Sequence, residues 1–255
     1  MSITTLGAMT VGLFIRDLVR DRREKLRMAA ELEAARAVQQ VLVSEKMPAI
    51  PGFTLEAVYR PFSQVGGDFF QILPMTCNSV LVALGDVSGK GVPAAMTVSH
   101  LVGILRFAAE TSSSPKVILA ALNRSLCGRG AGGFTTCLVL RADSDGTLTV
   151  ANAGHLAPYL NGKELSLENG LPLGLELSSC CPETTVPFLP GAHLTLLTDG
   201  VVEAQNARRE LFGFDRTAAI SNQSADSIAR AAEAHGQNDD ITVLTLRFAP
   251  DAELT

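Results

Sequence analysis

From Phe53 to Phe248 the chain alternates short β-branched and aliphatic runs with turn-forming clusters: TLEAVYRP, NSVLVALGD, TTCLVLRADSDG, TLTVANAG, HLTLLTDG and ITVLTLRF. Runs this short, bounded by Gly, Asp, Asn and Pro, read as strands. The SDG between two of them reads as a hairpin turn. Two helical patterns interrupt the series. GVPAAMTVSHLVGILRFAAE carries Pro93 near its start and Ala94, Val98, Leu101 and Leu105 on one face; SPKVILAALNRSL is the second. Strands and helices do not alternate one for one, so the pattern predicts an α+β fold dominated by antiparallel sheet. There is no internal repeat and no low-complexity segment.

The residues before Phe53 obey a different rule. Residues 16–46 contain no Gly or Pro and are rich in Arg, Glu, Ala and Leu, which predicts one long helix. Asp21 with Lys25 and Glu24 with Arg27 are spaced as favourable surface pairs. Met28, Leu32, Ala35 and Leu42 form a thin apolar stripe, suited either to a solvated helix on the domain or to a dimerising linker. MPAIPG, residues 47–52, stops the helix. Residues 1–15 form an apolar segment whose run from Ile3 to Ile15 is shorter than the about 20 residues that cross a bilayer. Five basic residues follow that run, as at the cytoplasmic end of a membrane helix. The chain therefore divides into the apolar segment 1–15, a helical linker 16–50, a folded domain 51–249 and a tail 250–255.

The 255 residues carry a net charge of −5, which gives no sequence-wide basic field for nucleic acid. Five cysteines, with Cys180 and Cys181 adjacent and no Cys-x-x-Cys, point to a reducing, cytoplasmic setting. His100, His155, His193 and His235 are scattered, and none is assigned as a metal ligand.

Four acids share an unusual setting. Asp68 follows two glycines and precedes two phenylalanines in FSQVGGDFFQILP; Asp86 closes VLVALGD; Asp199 closes HLTLLTDG; Asp239 precedes ITVLTL. A single Asp at a strand end is ordinarily a turn former. Four of them can converge on one sheet edge, where carboxylates repel unless cations lie between them. Oxygen donors without a His or Cys cluster favour Mg²⁺ or Mn²⁺ over zinc, and two such ions suit phosphoryl chemistry. GDVSGKG is one residue short of a phosphate-binding P-loop and lacks its final hydroxyl, so Lys90 reads first as a surface or helix-start lysine and only second as a phosphate contact.

The ordered set VGGDFF, ALGDVSGKGVPAAM, FTTCLVLRAD, LTVANAGHLAPYL, LPLGLE, LLTDGVVEAQN, ELFGFDR and NDDITVLTLRF resembles the SpoIIE/RsbU-type branch of the PP2C-like, metal-dependent serine/threonine phosphatases. The resemblance, from about Glu31 to Phe248, implies an αββα sandwich of two antiparallel sheets flanked by helices. It implies two Mn²⁺ or Mg²⁺ ions, with Asp86 bridging them and the Val87 carbonyl beside it. Asp199 and Asp239, rather than Asp240, would complete one site, and Asp68 would serve the other. Gly67 would let the backbone turn so that Asp68 faces the ions. The implied reaction is hydrolysis of phosphoserine or phosphothreonine by direct attack of a water bridging the metals. The implied substrate is a phosphorylated anti-sigma factor antagonist in bacterial partner switching. The linker would support a homodimer, and residues 1–15 could hold the chain at the inner face of the membrane. Two other readings compete: a phosphoprotein-binding module without turnover, and a two-metal nucleotidyl cyclase. The cyclase turn would need Glu at Phe69 and a βαβ order that this chain lacks.

Overall fold

The computed structural model describes residues 16, 18–24, 27, 47–63, 66–127 and 133–249. Residues 1–15, the stripe from Met28 to Leu42 and the tail 250–255 lie outside them. The described residues between Arg16 and Arg27 are helical and exposed, with an ion pair between Arg20 and Glu24.

Six strands coincide with the apolar runs: β1 (Phe53–Arg60), β3 (Val80–Val87), β4 (Thr135–Ala142), β5 (Thr147–Ala153), β10 (His193–Leu197) and β11 (Ile241–Phe248). A seventh, β2 (Asp68–Pro74), starts at Asp68, so the two glycines precede the strand instead of interrupting it. The short strands β6 (Tyr159–Leu160), β7 (Lys163–Glu164) and β8 (Asn169–Gly170), with β9 (Glu183–Pro187), complete two sheets. One has the order β1-β11-β10-β6-β7. The other has the order β2-β3-β4-β5-β8, with β9 also paired to β5.

The two predicted helices are α1 (Val92–Thr111) and α2 (Pro115–Leu126). Pro93 and Pro115 lie in their first turns, and the Ser114 hydroxyl accepts from the Val117 N–H to cap α2. Three further helices correct the count of two: α3 (Asp199–Val202), α4 (Gly213–Ile220) and α5 (Ala225–Gly236). The first two are too short to show a 3.6-residue period. The buried face of α5 is three alanines and one isoleucine, a weak apolar signal.

Alternation along the strands builds the layers. Val80, Val82 and Leu84 of β3 meet Leu138 and Leu140 of β4, and pack face to face with Leu194, Leu196, Leu244 and Leu246 from the other sheet. Leu81 and Ala83 point the opposite way, with Val139 and Ala151, onto Val98, Leu101 and Leu105 of α1 and Ile118 and Leu122 of α2. On the far side, Leu197 and Val243 pack against Val201 of α3 and Ile228, Ala229 and Ala232 of α5. The order is helix, sheet, sheet, helix. β3 is covered on both faces, which is why its sequence is continuously apolar up to Gly85. α1 is long and apolar enough to cross a membrane, but its apolar stripe is spent on the sheet beneath it.

Candidate metal centre

The inter-sheet layer is apolar along its length and becomes polar at one end. On β3 the inward series Val82, Leu84 continues to Asp86; on β4 Leu140, Leu138 continues to Thr136; on β2 Ile72, Phe70 continues to Asp68. From the other sheet, Leu246, Leu244 leads to Thr242, and Leu194, Leu196 leads to Thr198. The antiparallel register sets Asp68 directly opposite Asp86, and Asp86 opposite Thr136. Side chains opposite one another in such a ladder point to the same face, with Cβ atoms about 5 Å apart. Two acids thus meet where the apolar layer ends.

Asp68 is 2 % exposed and ties the sheets together. Its Oδ2 accepts from Thr198 Oγ1 at 2.7 Å and from Thr242 Oγ1 at 2.5 Å. Burial, and then the Asp86 carboxylate, push the Asp68 carboxyl well above the usual range; the threonine hydroxyls oppose the shift. Neither threonine is evident as a site residue from a motif, yet each is the next inward step of its strand's alternation.

The glycines supply space. Gly66 and Gly67 are absent from the positive-φ residues, so the expected special turn is not the reason for them. A Cβ on Gly67 would lie 2.6 Å from the Val87 carbonyl oxygen and 2.8 Å from Asp86 Oδ1. Those two oxygens therefore crowd one point on the backbone just before Asp68. A Cβ on Gly66 would collide with the Asp240 carboxylate and the Tyr59 hydroxyl.

Asp199 does not end a strand, as the sequence suggested; it is the first residue of α3, with Thr198 as the N-cap. Its carboxyl is raised by burial, then by Glu203 and Asp239, and lowered by the Gly200 N–H and by Lys90. Asp239 lies half exposed in the turn before β11, and its Oδ1 is 2.9 Å from Lys90 Nζ and accepts from the Asp240 N–H. Asp240 has a different task. It is 5 % exposed, and its two oxygens accept from the Phe62 and Gly67 N–H groups at 2.9 Å, fixing the segment that delivers Asp68. Lys90, read from sequence as a surface lysine, is half exposed but reaches into this centre, 5.3 Å from the Phe62 ring centroid.

The carboxyl of Asp86 is pushed up to about 7 by burial, then by Asp199, Asp239 and Asp240, with Lys90 opposing. The structure thus brings Asp199 and Asp239 within electrostatic reach of Asp86 and of each other, and Asp86 within reach of Asp68. Among the described residues, no three His, Cys, Asp or Glu groups already form a closed cage for an ion. Asp239 is turned to Lys90, and Asp68 to its threonines.

A pH dependence follows. With a pKa raised from about 4 in the unfolded chain to about 7, Asp86 favours the metal-free fold fully below about pH 4. That contribution is lost as pH rises towards 7, and Asp68, Asp199 and Asp240 shift in the same direction. Metal-free protein is expected to melt lower at pH 8 than at pH 5, by at least about 2–4 °C. Asp86→Asn should narrow the gap, and equal gaps in calorimetry would contradict this assignment.

Two sheets, antiparallel but for the short parallel pairing of β8 with β5, lie between helical layers with carboxylates at one end of the inter-sheet layer, and define a PP2C-type fold. The SiaA PP2C domain of Pseudomonas aeruginosa superposes with a TM-score of 0.74 at 23 % identity, covering 88 % of this chain and 98 % of that one. The RsbU and RsbW domains of Rv1364c from Mycobacterium tuberculosis give a TM-score of 0.67 at 25 % identity, covering 81 % and 62 %. The profile of the Stage II sporulation protein E (SpoIIE) family matches residues 77–249, well over half of the chain. The chain belongs to the SpoIIE family. It is 29 % identical over 183 residues to the phosphoserine phosphatase RsbU of Bacillus subtilis, a match covering 69 % of this chain and 54 % of RsbU. It is 26 % identical over 219 residues to protein IcfG of Synechocystis, covering 73 % and 34 %. The chain thus corresponds to about half of one curated relative and a third of the other.

Proposed function

We propose that the chain is a metal-dependent protein phosphatase that hydrolyses phosphoserine or phosphothreonine on a regulatory protein. The observation that carries this reading is the pairing of Asp68 with Asp86 at the polar end of the inter-sheet layer, with Asp199 and Asp239 brought to it from the other sheet. Family membership and the name of the relative RsbU, a phosphoserine phosphatase, support it. An anti-sigma factor antagonist is the substrate class that the resemblance favours.

The donor set fits hard divalent ions: carboxylates and one backbone carbonyl, all oxygen. Asp86 with Asp199 and Asp239 would hold one Mn²⁺ or Mg²⁺, Asp86 with Asp68 a second, and the Val87 carbonyl would be a further ligand beside Asp86. A solved relative, RsbX, was crystallised with magnesium; it shares 14 % identity and a TM-score of 0.62. When bound, such ions supply Lewis acidity towards phosphate oxygens and a water of lowered pKa. The chain's own residues aim and restrain. Thr198 and Thr242 fix the carboxylate of Asp68, Asp240 fixes the backbone that presents it, and Gly67 admits the Val87 carbonyl.

Lys90 must release Asp239 for an ion to be taken up there, which leaves its ammonium free to face the phosphate. Lys90→Met is expected to change thermal stability little, because an exposed ion pair is worth about 0–1 kcal/mol. It should tighten Mn²⁺ binding in calorimetric titration while lowering kcat/KM; weaker Mn²⁺ binding would contradict the competition.

The test is phosphate release from a phosphoserine peptide with and without Mn²⁺. Metal-dependent release is expected. A stable complex with a phosphoprotein but no release would favour a binding module, and pyrophosphate release from a nucleoside triphosphate would favour a cyclase. Residues 16–50 are proposed as a dimerising linker, with residues 1–15 as its membrane-proximal end. Sedimentation of the chain with and without residues 1–46 tests the dimer; unchanged mass would remove it.

A further inference from the structure

Beside the acids lies a second concavity. A cavity of about 290 Å³ opens between the end of β5, the end of β10 and α4, with His155, Tyr159 and Leu197 as its buried floor. Glu164, Asn169 and Phe214 stand at its exposed rim. Its floor adjoins the metal centre through two links. His155 Nδ1 is 2.9 Å from the hydroxyl of Thr136, the residue opposite Asp86, and Leu197 precedes Thr198, which donates to Asp68.

Three features select a ligand. The first is His155: the residue is 7 % exposed, its Nε2 is buried without a hydrogen-bond partner of good geometry, and the Leu197 carbonyl interacts with the ring. Burial drives the ring's pKa down to about 4, so the floor is neutral and carries no positive charge to repel a cation. The second is charge: the carboxylates of Glu164 and Asp215 both act on the Tyr159 hydroxyl, which makes the mouth acidic. The third is Phe214, 56 % exposed, which offers an aromatic face at the rim. A neutral floor, acids at the mouth and an aromatic ring disfavour a second phosphate or an acidic side chain. They suit a planar group made only of donors, which is a guanidinium. The volume accommodates one long side chain and falls just below the about 300–1,000 Å³ of whole-ligand pockets.

We propose that this cavity is a substrate subsite that seats an arginine side chain of the phosphoprotein a few residues from the phosphorylated one, with the guanidinium over Phe214 and paired to Glu164. The proposal rests on the phosphatase reading.

The test uses the whole chain with Mn²⁺ and a set of phosphoserine peptides carrying Arg, Gln or Ala in turn at each of the four positions on either side. One register should show kcat/KM for Arg about tenfold or more above Ala, with Gln between, through KM. Glu164→Gln and Phe214→Ala, both at exposed positions, should remove that preference and leave turnover of para-nitrophenyl phosphate unchanged. Glu164→Asp should keep part of it. Equal rates for Arg and Ala at every position, with all peptides hydrolysed, would overturn the subsite alone. Absence of turnover of para-nitrophenyl phosphate as well as peptides would overturn the phosphatase reading, and the subsite with it.

Discussion

Asp86→Asn is expected to lower Mn²⁺-dependent phosphate release by at least about a thousandfold, because a metal centre contributes several kcal/mol of charge stabilisation and each 1.36 kcal/mol is a factor of ten. The amide keeps the size of the carboxylate and one of its oxygens but loses the charge on which both proposed ion sites draw. Collapse of the fold is not the expected cause. Asp86 sits among Asp199, Asp239 and Asp240, and its ionised form is disfavoured by burial and by these neighbours. Removing that charge should leave the metal-free protein at least as stable as the wild type at pH 8. The paired measurements are phosphate release at saturating Mn²⁺ and the melting temperature in metal-free buffer. Activity within tenfold of wild type would remove Asp86 from the centre; a large drop in melting temperature would make the loss of activity uninformative about its role.

Gly200→Ala is expected to have the largest effect on stability. Gly200 follows Asp199 in α3, and a Cβ there would land on the backbone carbonyl of Asp240, with the Asp239 carbonyl carbon at 3.5 Å. The obstacle is main chain at the start of a central strand, so no rotamer change relieves it. Overpacking of this kind costs about 1–3 kcal/mol or more, which is about 2–4 °C of melting temperature per kcal/mol in a domain of this size. The displacement also pries the segment carrying Asp239 from the helix carrying Asp199, and a shift of about 1 Å near a catalytic centre can cost about a hundredfold in rate. Gly103→Ala is the control. Gly103 lies within α1 with open space where its Cβ would go, so alanine there should stabilise by about 0.5–1 kcal/mol. Differential scanning calorimetry on the two variants separates the cases, and equal shifts would show that the close approach at Gly200 is relaxed in solution.

The strands were legible because their alternation is local. β1, β3, β4, β5, β10 and β11 can each be read from a run of eight or so residues bounded by turn formers. The acids were visible as exceptions to the same pattern, a charged residue where an apolar series ends. α3 and α4 were not legible, since four and eight residues do not complete enough turns to show a period. Thr198 and Thr242 could have been found by extending each inward series one step, because a period of two carries on past the last apolar residue. Asp240 could not, because nothing local separates it from Asp239. One carboxylate is turned to Lys90, the other to the N–H groups of Phe62 and Gly67, and that choice depends on a loop more than 170 residues away in sequence.

By itself, then, the sequence determined which segments are strands, which of their faces are apolar, and that four acids stand where apolar runs stop. These follow from side-chain chemistry at short range. Only the tertiary structure decided that Asp68 stands opposite Asp86, that Lys90 reaches Asp239, that Gly66, Gly67 and Gly200 are there for room, and that His155 lies under a cavity beside the acids. Each of these is a contact between segments far apart in the chain. Register and close approach are set by how two sheets and their helices pack, and no short stretch of residues encodes them.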